Sequence, residues 1–240
     1  PGGTGVNSAQ LTLASLTRNS GSFLVTNNVG QIGSAGRLVV TAPLAGNLAA
    51  VNDVVPGVIV NGNIAGYAPG LGLGALGSTG FPAYFTSALN TAGSSANVST
   101  ATCAVLAGGQ TINTLLQQGD LTFSASADRL TLAGGMILQG GEVGKLMGSD
   151  TGNRGQITSG LASGELFLVK LPGGSGGAAG AFKVNSVITD NGGTRVRLVV
   201  AGIGRNDLTN QQFNLTANNA HTGGTVVSGG NTVFLAATTN

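Results

Sequence analysis

Arg129-Leu-Thr-Leu-Ala-Gly-Gly-Met-Ile-Leu138 holds two short aliphatic runs on either side of a Gly-Gly pair. Each run is too short for a helix, and the glycines interrupt any 3.6-residue period, so the segment reads as two brief strands joined by a tight corner. The same grammar extends in both directions. Upstream are Gln10-Leu-Thr-Leu-Ala-Ser-Leu16, Ser22-Phe-Leu-Val-Thr26, Arg37-Leu-Val-Val-Thr41, Val58-Ile-Val60 and Asp120-Leu-Thr-Phe-Ser124. Downstream are Glu165-Leu-Phe-Leu-Val-Lys170, Arg195-Val-Arg-Leu-Val-Val200, Gln212-Phe-Asn-Leu-Thr216, Thr225-Val-Val227 and Thr232-Val-Phe-Leu235. Gly-Gly pairs recur at 108, 134, 140, 173, 176, 192, 223 and 229.

Short strands with recurrent glycine corners favour a solenoid over a sandwich, whose strands are longer. Three such strands make one coil of about 20 to 30 residues. The expectation is therefore an all-β chain, a parallel β-helix of roughly ten coils stacked at about 4.8 Å each.

Composition agrees. The 240 residues include 43 Gly, only 8% are charged and 4% aromatic, and Trp is absent. An apolar content of 41% separates the chain from disordered Gly/Ser-rich sequences. In a parallel stack each side chain lies over its counterpart in the next coil. Like charges would repel there, whereas Thr, Ser and Asn can bond from coil to coil.

Three segments are expected. Residues 1–60 and 119–240 read as solenoid coils. Residues 61–118 read as an irregular excursion packed on them, because Gly66-Tyr-Ala-Pro-Gly-Leu-Gly-Leu-Gly-Ala-Leu-Gly-Ser-Thr-Gly-Phe-Pro-Ala-Tyr-Phe85 concentrates aromatics and prolines. Within it, Gln110 to Gln118 is the one stretch that reads as a short helix. Tyr67, Phe81, Tyr84 and Phe85 are the candidate contact surface.

Chemistry-bearing patterns are sparse. Eight carboxylates, Asp53, Asp120, Asp128, Glu142, Asp150, Glu165, Asp190 and Asp207, are spread so that none lies within four residues of another. A glycosidase pair would have to be assembled by stacking. Gly72-Leu-Gly-Ala-Leu-Gly77 matches a dinucleotide fingerprint literally, but Pro82 follows where a helix is needed. Gly140-Gly-Glu-Val-Gly-Lys145 is one residue short of a P-loop, and Gly173-Gly-Ser-Gly-Gly lacks the Asp of calcium-binding repeats.

Asn97-Val-Ser99 and Asn214-Leu-Thr216 fit the glycosylation sequon. Cys103, the single cysteine, can form no internal disulfide. The ten Lys and Arg residues form no cluster suited to nucleic acid, and no run of about 18 apolar residues suggests a membrane helix. No catalytic, metal or cofactor residue is assigned, and an enzyme is not expected.

The stretch Leu215-Thr-Ala-Asn-Asn-Ala-His-Thr-Gly-Gly-Thr-Val-Val-Ser-Gly-Gly-Asn-Thr-Val-Phe-Leu235 resembles one unit of the autotransporter-associated β-strand repeat. Leu215 and Thr216 open it, Asn219 fills its Asn position, His221 stands where Tyr is usual, and Thr222-Gly-Gly-Thr-Val-Val227 supplies its most specific part. Val187-Ile-Thr-Asp-Asn-Gly-Gly-Thr-Arg-Val-Arg-Leu-Val-Val200 is similar to the coil that precedes such units.

The resemblance implies right-handed coils and a bacterial surface or secreted protein. The expected role is the shaft of an adhesin or of a self-associating extracellular filament, with partners among further copies of the chain or neighbouring cell surfaces. A carbohydrate-binding or carbohydrate-cleaving β-helix and a phage or capsid fibre segment are the alternatives.

Overall fold

The computed structural model describes residues 9–27, 36–139, 144–171, 182–202, 212–228 and 232–235. The chain is essentially all-β and divides into two compact units, 1–84 and 85–240. This division does not coincide with the segment boundaries expected at 60 and 118.

The first unit contains β1 (Ala9–Leu13), β2 (Leu24–Thr26), β3 (Gly36–Val40), β4 (Val54–Val60), β5 (Asn63–Ala68) and β6 (Gly72–Ala75). β1 and β3 pair in parallel, as do β2 and β4, whereas β4–β5 and β5–β6 are antiparallel. Asn61 and Gly62, with φ of 51° and 73°, form the two-residue connection between β4 and β5. Both residues must adopt positive φ in such a hairpin, and Asn-Gly is the pair that does so most easily. Pro56 and Gly57 sit where the register of β4 shifts, a position that needs no ladder donor. Leu38, Leu48, Val55, Val58, Val60, Ala65 and Leu73 form the core of this unit. Residues 61–75, expected to leave the sheet as an irregular excursion, instead complete it.

The second unit contains β7 (Asn97–Thr100), β8 (Cys103–Ala104), β9 (Gln110–Gln117), β10 (Leu121–Thr122), β11 (Arg129–Gln139), β12 (Leu146–Met147) and β13 (Gln156–Ser159). It continues with β14 (Glu165–Lys170), β15 (Phe182–Val184), β16 (Val187–Ile188), β17 (Arg197–Gly202), β18 (Gln212–Leu215), β19 (Thr225–Ser228) and β20 (Thr232–Leu235). Every pairing among them is parallel.

One column runs Val98, Leu115, Ile137, Leu168, Val200 and Val227, each beside the next on adjacent strands. A second runs Cys103, Leu121, Met147, Val184, Leu215 and Leu235. β11 bends between Leu132 and Met136, so that its first half pairs with β13 and its second half with β14. A third column, Leu130, Ile157 and Ile188, lies on the first of these two arms.

Gly134 and Gly135 make that bend. Gly135 has φ of 65°, and a Cβ there would stand 2.4 Å from the Leu161 side chain. Gly134-Gly135 is thus a corner between two faces of the sheet.

From β9 to β18 successive strands fall on the three columns in a fixed order, and after β18 no strand of the third column is described. The inward members of all three columns share a core with Phe182, Phe213, Ile112 and Leu132. Full burial of each such side chain contributes about 1.5–3 kcal/mol. Neighbouring strand residues respect charge as well. Glu165 lies beside Arg197, Arg129 beside Gln156, and Lys183 between Leu146 and Asn214.

The helix expected at Gln110–Gln118 is the strand β9. Its sequence, QTINTLLQ, shows no two-residue alternation because both faces are covered over most of its length. Asn113 donates through Nδ2 to Asn97 Oδ1 at 2.7 Å, and Thr114 Oγ1 donates to the same oxygen at 3.0 Å. These bonds satisfy buried polar side chains that a hydrophobic pattern leaves unexplained. Where about ten coils are expected over the whole chain, among the described residues the first column crosses six strands in the second unit and the first unit is partly antiparallel.

Candidate functional site

The four aromatics expected to present a contact surface are tucked into the fold. Tyr67, on β5, packs against the first core and donates its hydroxyl to Val40 O at 2.7 Å. Phe81 is buried. Tyr84 donates its hydroxyl to Asn63 Oδ1, and burial pushes its phenol well above the ordinary tyrosine range. Phe85 packs against the second core, where its backbone extends the first column by bonding to Asn97 and Ser99. Tyr67, Phe81 and Tyr84 belong to the first unit and Phe85 to the second, and none of the four is exposed. Sequence reasoning weighted their chemistry but had no signal for which way they faced.

Four of the carboxylates, Asp120, Asp128, Asp150 and Asp190, serve as acceptors in or beside the turns, whereas Glu165 is buried on β14 and Asp53 is exposed. Asp120 accepts the Leu146 N–H at 2.9 Å, reaching the adjacent strand. Asp128 accepts from Ser124 Oγ at 2.6 Å and from the N–H groups of Gly108 and Ala125 at 2.8 Å each, which holds its carboxyl below the usual range. Asp150 is lowered by its bonds to Lys183 and Asn185.

Asp190 receives the Val196 N–H at 2.7 Å, the Thr222 hydroxyl at 2.7 Å and the Thr222 N–H at 2.9 Å, and its pKa falls to about 2. Asp120, Asp128, Asp150 and Asp190 have no hydrogen-bond partner in common. Among the described residues no group of three His, Cys, Asp or Glu side chains could hold a metal ion. Glu142 and Asp207 lie outside the described residues.

Uncharged side chains repeat the pattern of bonding to the next strand or turn. Thr158 Oγ1 donates to Thr189 O at 2.8 Å, Asn191 Nδ2 to Ser159 O at 3.0 Å, Ser186 Oγ to Arg154 O at 2.6 Å, and Asn219 Oδ1 accepts the Ile188 N–H at 2.8 Å. His221, in the repeat-like unit, is half-buried. Its Nε2 lies 3.0 Å from Thr225 Oγ1, and burial lowers its imidazole pKa despite the opposing pull of Asp190.

Cys103 is buried in the second column, where burial raises its thiol pKa. The Gly72–Gly77 fingerprint begins within β6, and a Cβ at Gly72 would stand 2.1 Å from Leu38 O. That approach is filled by backbone and leaves no room for a phosphate. Asn97 of the first sequon is buried and committed to Asn113 and Thr114. Residues 140–143 of the P-loop-like stretch and the run at 173–177 lie outside the described residues.

At the last strand of the first column the burial changes. Val98, Leu115, Ile137, Leu168 and Val200 are fully buried, whereas Val227 is 48% exposed. Among the described residues, β19 pairs only with β17 and β20 only with β18. Among the described residues, no helix is long and apolar enough to cross a membrane. A scan of protein-family models, a search of curated proteins and a search of solved structures each return no match.

Proposed function

We propose that the second unit is a right-handed parallel β-solenoid and that the chain serves as a structural extracellular protein, the shaft of a surface adhesin or of a filament built by self-association. The observation that carries this reading is the unbroken column from Val98 to Val227, repeated on two further faces by strands visited in a fixed order. Parallel strands joined this way bury a continuous core that no single turn of chain could bury alone.

The side-chain chemistry supports a scaffold. Asp120, Asp190, Thr158 and Asn191 spend their hydrogen-bonding capacity on neighbouring strands and turns. Handedness and surface location rest on the resemblance of 215–235 to the autotransporter-associated β-strand repeat.

Antibody labelling of intact producing cells tests the location. Signal on unpermeabilised cells or in the medium is expected, and signal only after permeabilisation overturns the extracellular role. Sedimentation velocity across a concentration series separates the two structural versions. Growth with concentration supports the filament, and a constant species supports the isolated shaft.

A further inference from the structure

We infer that the outward face of the second unit around Arg129 is a binding site for an anionic saccharide. The cavity there, about 400 Å³, is lined by Gly108, Gly109, Gln110, Thr111, Ala127, Arg129 and Thr131. That volume falls in the range of small-ligand sites, although the site is a shallow groove open to solvent and not an enclosed cavity. It draws on two adjacent strands, β9 and β11, on which Thr111 and Thr131 are register neighbours. Their Cα atoms are therefore about 4.8 Å apart.

Three features point to the ligand class. Arg129 is fixed, because Gln156 Oε1 accepts from both Nε at 3.2 Å and Nη2 at 3.0 Å. It nevertheless makes no ion pair among the described residues. Asp128, next to it in sequence, commits its carboxylate to Gly108, Ser124 and Ala125. No carboxylate lines the cavity. A half-buried, pre-oriented guanidinium without an acidic partner is suited to a carboxylate or sulfate, which it can bind with charge-assisted hydrogen bonds.

Thr111 is exposed and Thr131 half-buried, and the hydroxyl of neither has a hydrogen-bond partner among the described residues, which leaves both open to a ligand. Each can donate and accept, which matches the hydroxyls of a sugar. The cavity beside Asp150 lacks this character. Although Arg154 lines it, so does Asp150, whose carboxylate is paired with Lys183. The Arg129 site stands independently of the shaft reading.

Titration calorimetry of the full chain with three tetrasaccharide probes tests it: a galacturonate, a sulfated glycosaminoglycan fragment and neutral maltotetraose. One or both anionic probes should bind while maltotetraose does not, and the pair distinguishes carboxylate from sulfate recognition. Arg129→Gln should weaken binding by at least about tenfold. Arg195→Gln removes the same charge from an exposed position elsewhere and should leave affinity within about twofold.

Thr131→Val removes one hydroxyl without touching the charge. It should also weaken binding, and it keeps the test open if the arginine variant loses its native circular dichroism. Absence of binding to either anionic probe, equal losses in Arg129→Gln and Arg195→Gln, or equally effective competition by inorganic sulfate would each overturn the assignment.

Discussion

Replacing Phe182 and Phe213 with leucine, singly and together, measures whether adjacent strands stack as described. The two residues are register neighbours on β15 and β18, fully buried, with ring centroids 5.2 Å apart and planes inclined by 48°. That separation lies within the 4.5–7 Å range in which aromatic pairs attract, contributing about 0.5–1.5 kcal/mol beyond the area they bury. Each Phe→Leu change keeps an apolar side chain and should cost roughly 1–3 kcal/mol, between the loss of one methylene and truncation to alanine.

The double variant should cost about 1 kcal/mol less than the two singles added together, because the ring–ring attraction is lost only once. Urea unfolding followed by far-UV circular dichroism is the assay, since the chain has no Trp and both its tyrosines lie in the first unit. Additivity within about 0.3 kcal/mol would refute direct stacking of these strands.

The corner glycines separate two kinds of cost. Gly164 has φ of 69° and a Cβ there would meet Arg195 O at 2.0 Å, whereas Gly192 has φ of 59° and open space. Gly192→Ala should cost about 1 kcal/mol and Gly164→Ala clearly more, as read by thermal melting, and equal losses would contradict the close packing of turns. Asp190 has a folded pKa of about 2, below the roughly 3.9 of an unfolded Asp, so its stabilisation is complete above about pH 4 and disappears as pH falls toward 2. The stability difference between the wild type and Asp190→Asn should shrink across that window, and a difference that stays constant would count against the triple acceptor role. Cys103 should resist a thiol reagent in the native chain and react once per molecule after denaturation, so rapid native reaction would place it outside the core.

How far the fold could be read from sequence depended on which force set each segment. In β11, β14 and β17 hydrophobic burial sets the structure, so runs such as Glu165–Lys170 and the corner at Gly134-Gly135 were legible. In β9 polar satisfaction shares the work. The bonds of Asn113 and Thr114 to Asn97 depend on the neighbouring strand β7, beyond any local window, so the segment reads as a helix from sequence. The stretch 61–75 carried a legible Asn61-Gly62 hairpin signal that was outweighed by its prolines and aromatics.

The aromatics themselves faced inward, which composition cannot reveal. The Arg129 site was not visible in sequence, because its character comes from a charge left unpaired by Asp128 and from two threonines aligned only by register.

The central claim is the parallel register, and engineered disulfides test it most directly. With Cys103 replaced by serine, Thr111→Cys paired with Thr131→Cys should cross-link fully, because neighbouring strands bring the two Cα atoms within disulfide reach. Thr111→Cys paired with Thr158→Cys should not close, since Thr131 lies between them and two strand spacings exceed about 9 Å. A bridge in the second pair, or none in the first, would contradict the account.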